Sequence, residues 1–229
     1  MFDNFGQRIV NIFITGGGYK LILDGLVNTL LIALSALIIG IVLGILVSIL
    51  KVMPVRGPIS RILHVVADIY ITVIRGTPVM VQLLLMYYGV LSPLGVPALV
   101  IAIVVFGVNS SAYVAEIIRG GILAVDKGQM EAGRSLGLSY GTTMQQIILP
   151  QAIKNILPAL GNEFIVLIKE TSVAGFITVF DMTRAAQALV AKTYDAFVPY
   201  LVLAAVYLVL VMIATFFVNL LERRMRRSD

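Results

Sequence analysis

The chain has 229 residues, 59% hydrophobic and 13% charged, with mean hydropathy +1.01 and a formal net charge of +5. A soluble domain carries about 25% charged residues, so this composition belongs in lipid. With no Cys and one His, the chain has no means for disulfides, thiol chemistry or a Cys- or His-built metal site.

The opening MFDNFGQRIV lacks a basic start followed by an apolar run and a small-residue cleavage site, so no removable signal peptide is expected. The first apolar window, residues 21–50, is broken only by Asp24 and Asn28. At about 1.5 Å per residue it is long enough to span with tilt. Pro54, Gly57 and Pro58 then predict a turn. A second window, 59–91, holds His64, expected as an ordinary helix residue near the cytoplasmic interface. It is too long for one plain span and is cut by Arg75-Gly76-Thr77-Pro78. A third covers 97–118, a fourth 151–171 and a fifth 200–221. The stretch 172–199, with Asp181, Arg184, Lys192 and Asp195, is too polar to span and reads as short extracytoplasmic helices.

Eleven of the 17 basic residues fall in three groups: Lys51, Arg56 and Arg61; Arg119, Lys127, Arg134 and Lys154; Arg223, Arg224, Arg226 and Arg227. Each group borders an apolar window, which is the positive-inside pattern and puts the N-terminus outside and the C-terminus inside. The basic balance therefore reports topology rather than a nucleic-acid partner. The expected fold is an all-α membrane protein of about five transmembrane helices, one domain over residues 1–229, with lipid around it and no internal repeat.

Between the third and fourth windows, residues 120–150 form a polar, Gly-punctuated loop. Asp126 is placed to N-cap a short helix, with Gln129 where a capping-box partner would sit. Gly137 suits a left-handed C-cap, and Ser139 or Thr142 can start a further helix. Residues 131–150, EAGRSLGLSYGTTMQQIILP, combine Glu131-Ala132-Gly133, Gly137, Ile147, Leu149 and Pro150 at fixed offsets. This spacing resembles the cytoplasmic "EAA" loop of ABC-importer permeases. The third position is Gly133 where that pattern has Ala, a change costing on the order of 1 kcal/mol of helix propensity. Further stretches resemble the polar amino-acid branch of those permeases: Gly25-Leu26, Thr29-Leu30, IRGTP (74–78), NSSAYVAE (109–116), LPALGNEF (157–164) and KETS (169–172).

The resemblance implies a type I ABC-importer permease fold in a bacterial cytoplasmic membrane, multi-pass. It implies a docking surface at Glu131, Ala132, Gly133, Arg134 and Gly137 for two ATPase subunits, which bind ATP and Mg. It also implies a second permease copy or sister permease and an extracytoplasmic amino-acid-binding protein. The chain has no GxxxxGK[ST], so ATP hydrolysis is expected elsewhere; no catalytic residue, cofactor or metal is expected in this chain.

Polar residues within the windows are the candidate substrate groups: Glu163, Asn109, Ser110, Thr77, Gly76 and Gln82. Asn109, Glu163 and Gly76-Thr77 fall at a similar depth, near the bilayer centre. Thr77-Pro78 reads as the N-cap and first position of a broken helix that receives an α-carboxylate, or as a plain proline kink. Arg75 is free to serve that carboxylate or to pair with Asp68. Asn109, Ala112, Tyr113 and Glu116 form one helical stripe, and Glu116 lies three residues from Arg119, the spacing of an ion pair. An ionised carboxylate at Glu163 needs a cationic partner, or its pKa must rise. A substrate's ammonium or guanidinium is one option, which favours arginine, lysine or histidine. Lys154, Lys169 or a hydrogen bond to Asn162 is the other. Glutamine or glutamate import is the alternative substrate class, and an ATP-independent ion-coupled carrier the alternative mechanism.

Overall fold

The computed structural model describes residues 4–55 and 57–226; Arg56, Arg227 and the side chain of Arg226, members of the basic groups, lie outside the described residues, as do residues 1–3. Regular structure among the described residues is entirely helical. In chain order the α-helices are α1 Phe5–Ile9, α2 Gly18–Val52, α3 Pro58–Gly76, α4 Val79–Leu84, α5 Ala98–Leu123, α6 Lys127–Ser135, α7 Tyr140–Thr143, α8 Leu149–Glu170, α9 Met182–Thr193 and α10 Phe197–Arg226. π-Helical turns at Val10–Thr15, Leu85–Leu91 and Met144–Ile148, and 3-10 turns at Ser92–Leu94 and Thr171–Ile177, link them.

By length and composition three helices can cross a membrane, α2, α5 and α10, or four if the pair flanking Thr77-Pro78 is one broken span. The expected fourth window, α8, has the length (22 residues) but carries Lys154, Glu163, Lys169 and Glu170, which pull it below the apolarity of the others. About 61% of the α5 window is buried against only 6% of the α10 window, so α5 is heavily packed while α10 presents apolar side chains outward.

The chain divides into two compact units. One comprises residues 1–36, 78–106 and 166–213. Its core gathers Ile12, Phe13, Ile22, Met182, Ala186, Leu189 and Val198. Asn28 Nδ2 donates to the Phe180 carbonyl at 2.8 Å, and Thr29 Oγ1 accepts from the Met182 N–H at 3.4 Å, so α2 receives the turn that starts α9. Arg8 and Asp195 form an ion pair in the same unit.

The other unit comprises residues 37–77, 107–165 and 214–229. Within it glycines set the helix crossings. A Cβ at Gly40 would lie 2.9 Å from Ser110 Oγ, and one at Gly44 2.6 Å from Val114 Cγ1, so α2 and α5 approach closely there. A Cβ at Gly161 would lie 2.6 Å from Val218 Cγ2, and α8 meets α10 the same way. Apolar side chains gain little by leaving lipid for protein, so close backbone approach and van der Waals packing carry such crossings.

Candidate functional site

The second unit buries a polar cluster on α5. Asn109 is 3% exposed and Ser110 0%, and the missing side chain at Gly40 leaves room for Ser110. Ser110 Oγ donates to Glu163 Oε1 at 2.7 Å, joining α5 to α8. The sequence placed Asn109, Ser110 and Glu163 together, and the last two meet directly. Asn162 does not hold the Glu163 carboxylate; Ser110 does, and Arg75 is a cation that acts on it through space. The local reason is that Asn162 precedes Glu163 on the exposed side of α8, whereas Ser110 faces it across the crossing.

Arg75, on the last turn of α3, lies 5.1 Å over the Tyr113 ring and 4.0 Å from Glu116 Oε2. Arg119 donates to Glu116 through Nε at 3.1 Å and Nη2 at 2.7 Å, the expected ion pair. Arg75 does not pair with Asp68, which instead binds Lys51 of α2. Tyr70 was not among the expected site residues: its hydroxyl lies 2.6 Å from Ser111 Oγ and donates to the Val108 carbonyl at 3.1 Å, pinning α3 to α5. His64 Nε2 sits 2.9 Å from the Met53 carbonyl, a structural contact.

Thr77 departs from its expected role. A residue before proline is pushed out of the helical region, and Thr77 is extended at φ −119°, ψ 142°. Its hydroxyl donates back to the Val73 carbonyl at 2.9 Å, on the last turn of α3. Pro78 itself, at ψ 133°, is the N-cap of α4 and not its first helical residue. Gly76 and Thr77 are exposed. Gln82 lies on α4 in the first unit, half-buried.

The polar loop folds as the sequence predicts, with one change of meaning. Asp126 caps α6 by accepting the Gly128 N–H at 2.7 Å; this bond, rather than a capping box with Gln129, closes its start. At the far end Gly137 takes φ +84°, its N–H donates to the Arg134 carbonyl at 3.1 Å, and the Leu138 N–H donates to the Gly133 carbonyl at 3.2 Å. This double bond pattern around a left-handed glycine is a Schellman cap. Ser139 then starts α7 by accepting the Thr142 N–H at 3.1 Å. Gly133 does not loosen the helix: it is buried, and a Cβ there would lie 2.5 Å from Thr143 Cγ2 and 3.2 Å from Ile147 Cδ1. The glycine seats α6 against the following helix, leaving Glu131, Ala132, Arg134 and Gly137 exposed on the surface. No group of three or more acidic, His or Cys side chains suited to a metal occurs among the described residues.

Residues 40–227 match the family model described as "Binding-protein-dependent transport system inner membrane component". The arginine transport system permease protein ArtQ of Bacillus subtilis (strain 168) is 42% identical over 210 residues, 91% of this chain and 94% of its own. The glutamine transport system permease protein GlnP of Escherichia coli (strain K12) is 36% identical over 209 residues, 90% and 93%. A solved amino acid ABC transporter with histidines superposes with TM-score 0.86 at 42% identity, covering 98% of this chain and 100% of that one. The MetNI methionine ABC transporter, at TM-score 0.78 and 20% identity over 90% and 97% of the two chains, shares the fold. With its family model covering most of its length, the chain belongs to the inner membrane components of binding-protein-dependent transport systems.

Proposed function

We propose that this chain forms the translocation pathway of an ATP-driven amino-acid importer whose substrate is a basic amino acid. The observation that carries the substrate is Glu163, 7% exposed and anchored through Oε1 by Ser110, a fixed carboxylate inside the helix bundle. A substrate ammonium or guanidinium is the counter-charge such a group selects. The likeness to the arginine permease of Bacillus subtilis agrees with it. Asn109 and the exposed Gly76-Thr77 backbone of the same unit complete the proposed path.

A second reading, glutamine import, has its own support. Arg75 already acts on Glu163 and sits against Glu116, so the cluster carries its own positive charge, and the glutamine permease of Escherichia coli is a relative over nearly the whole chain.

ATP hydrolysis belongs to a separate chain, which binds ATP and Mg in this reading. The exposed face of α6, with Glu131, Ala132 and Arg134 held by the Gly133 seat and the Gly137 cap, is the dock for two ATPase subunits in a paired permease. Residues 120–150 then lie in the cytoplasm and 172–199 outside, below a binding protein. The test is energised uptake of labelled arginine into proteoliposomes carrying the assembled complex, with lysine, histidine, glutamine and glutamate as competitors. Competition by the basic amino acids supports the first reading; competition led by glutamine replaces it with the second; no ATP-dependent uptake of any of them overturns both.

A further inference from the structure

Between α2, α5 and α8 the second unit carries an apolar trough that the proposed pathway does not use. Its volume is about 450 Å³. Ile41, Ile45 and Met53 of α2 and Ile153 and Leu160 of α8 line it, and Ile45, Met53 and Ile153 are exposed, so it opens outward. Ser48, buried in the same wall, turns its hydroxyl back to the Ile45 carbonyl at 2.8 Å and leaves the wall without a free donor there. From Ile41 to Met53 the trough follows α2 for about 18 Å. That is close to the depth of one leaflet, half of a hydrocarbon core about 30 Å thick.

A second cavity of about 350 Å³ continues the first, because Val52, Ile122, Tyr140 and Met144 line both. Here the walls change character: Lys51, Arg119 and Lys127 stand against one acidic side chain, Asp126. Asp126 Oδ1 is engaged by the Gly128 N–H at 2.7 Å. Lys51 binds Asp68 and Arg119 binds Glu116. An ammonium has three donors and a guanidinium five, so those pairs leave donors for a further anion. Lys127 is exposed and forms no ion pair among the described residues. Tyr140, at the junction, has the apolar ring and polar tip that suit a membrane–water boundary.

We propose that this groove holds one anionic phospholipid, with an acyl chain in the trough and the phosphate on Lys51, Arg119 and Lys127. An apolar trough alone takes any lipid tail; a basic mouth between spanning helices selects the anionic headgroup. The proposal rests on residues 120–150 lying at a membrane surface, as in the proposed function, and not on which amino acid is carried. Lys127 opens α6 and Tyr140 opens α7, so the lipid supports the base of the dock.

The test places the full complex in phosphatidylcholine nanodiscs with a trace of phosphatidylglycerol or phosphatidylcholine bearing a photoreactive acyl chain, and maps the crosslinks by mass spectrometry. The phosphatidylglycerol probe labels residues 41–53 and 149–160 about tenfold more than the phosphatidylcholine probe at equal mole fraction. Lys51→Gln combined with Lys127→Gln brings that ratio close to one. Lys127→Gln alone, at an exposed position, lowers it about threefold and carries the test if the double variant does not assemble. Equal labelling by the two probes overturns the proposal and leaves bulk lipid in the trough. Labelling by neither overturns it and points to a second permease copy covering this face. A preference that Lys127→Gln leaves unchanged overturns it as well. The readout needs no transport, so its failure is separate from failure of the importer reading.

Discussion

The α6 helix and the Glu163 cluster place charge in opposite ways. α6 keeps Glu131 and Arg134 in the open and fixes their positions through backbone geometry: a cap at each end and a glycine seat against Thr143. The cluster keeps Glu163 and Ser110 out of contact with solvent and fixes them through side chains brought from two helices. Exposed charges contribute little energy and are tuned for a partner surface. A buried carboxylate is costly and persists where something answers it. In the proposed reading, one site is met by another protein and the other by a small solute.

The two sites therefore break differently. The largest effect belongs to Gly133→Val: a branched side chain driven into Thr143 and Ile147 costs about 3 kcal/mol of local packing. The ATPase then fails to co-purify even though the rest of the chain stays folded by circular dichroism. Glu131→Arg comes next. It leaves α6 intact, because Glu131 is exposed, and weakens ATPase association by about tenfold to a hundredfold, on the scale of a reversed interface charge; unchanged co-purification would remove α6 as the dock. Gly137→Ala is milder, since a side chain at φ +84° costs about 1 kcal/mol. It frays the α6 cap, which amide hydrogen exchange at Gly137 and Leu138 would register.

The smallest effect is on pH. The Arg8 guanidinium beside Asp195 holds its carboxyl below the usual carboxylate range. A lowered folded value means that the pair's contribution is present above the unfolded carboxyl's pKa and is lost as pH falls through the folded one. Wild type therefore loses its small advantage in thermal midpoint over Asp195→Asn on going from neutral pH into the acid range below about 4; equal midpoints at neutral pH would show that the pair contributes nothing.

Much of the architecture was legible because it is local. The caps at Asp126, Gly137 and Ser139 are encoded within a few residues, and each forms as read, with only the capping-box bond to Gln129 replaced. Glu116–Arg119 is a one-turn pair and needs no tertiary knowledge. What the sequence left open depends on crossings. Ser110 and Glu163 are 53 residues apart, and nothing in either segment says that Ser110 rather than Asn162 faces the carboxylate. The Gly40-x-x-x-Gly44 spacing was the available signal for the α2–α5 crossing, and Gly133 looked like a propensity cost until its neighbour Thr143 was in place. Thr77 shows a local rule read in the wrong direction. The hydroxyl before Pro78 looked like the next helix's cap, but α4 begins one residue later with Pro78 as its N-cap, and the Thr77 hydroxyl donates back to Val73.

The most direct test of the central claim is the ratio of arginine to glutamine uptake by the assembled complex, measured for wild type and Glu163→Gln at matched complex abundance. The amide retains an oxygen for Ser110 and removes the charge. Arginine uptake is predicted to fall by about 30- to 100-fold, the scale of one lost charge-assisted contact, while glutamine uptake changes little and the ratio collapses. A ratio that stays put, with both substrates falling together or neither falling, would contradict Glu163 as the group that selects a basic side chain.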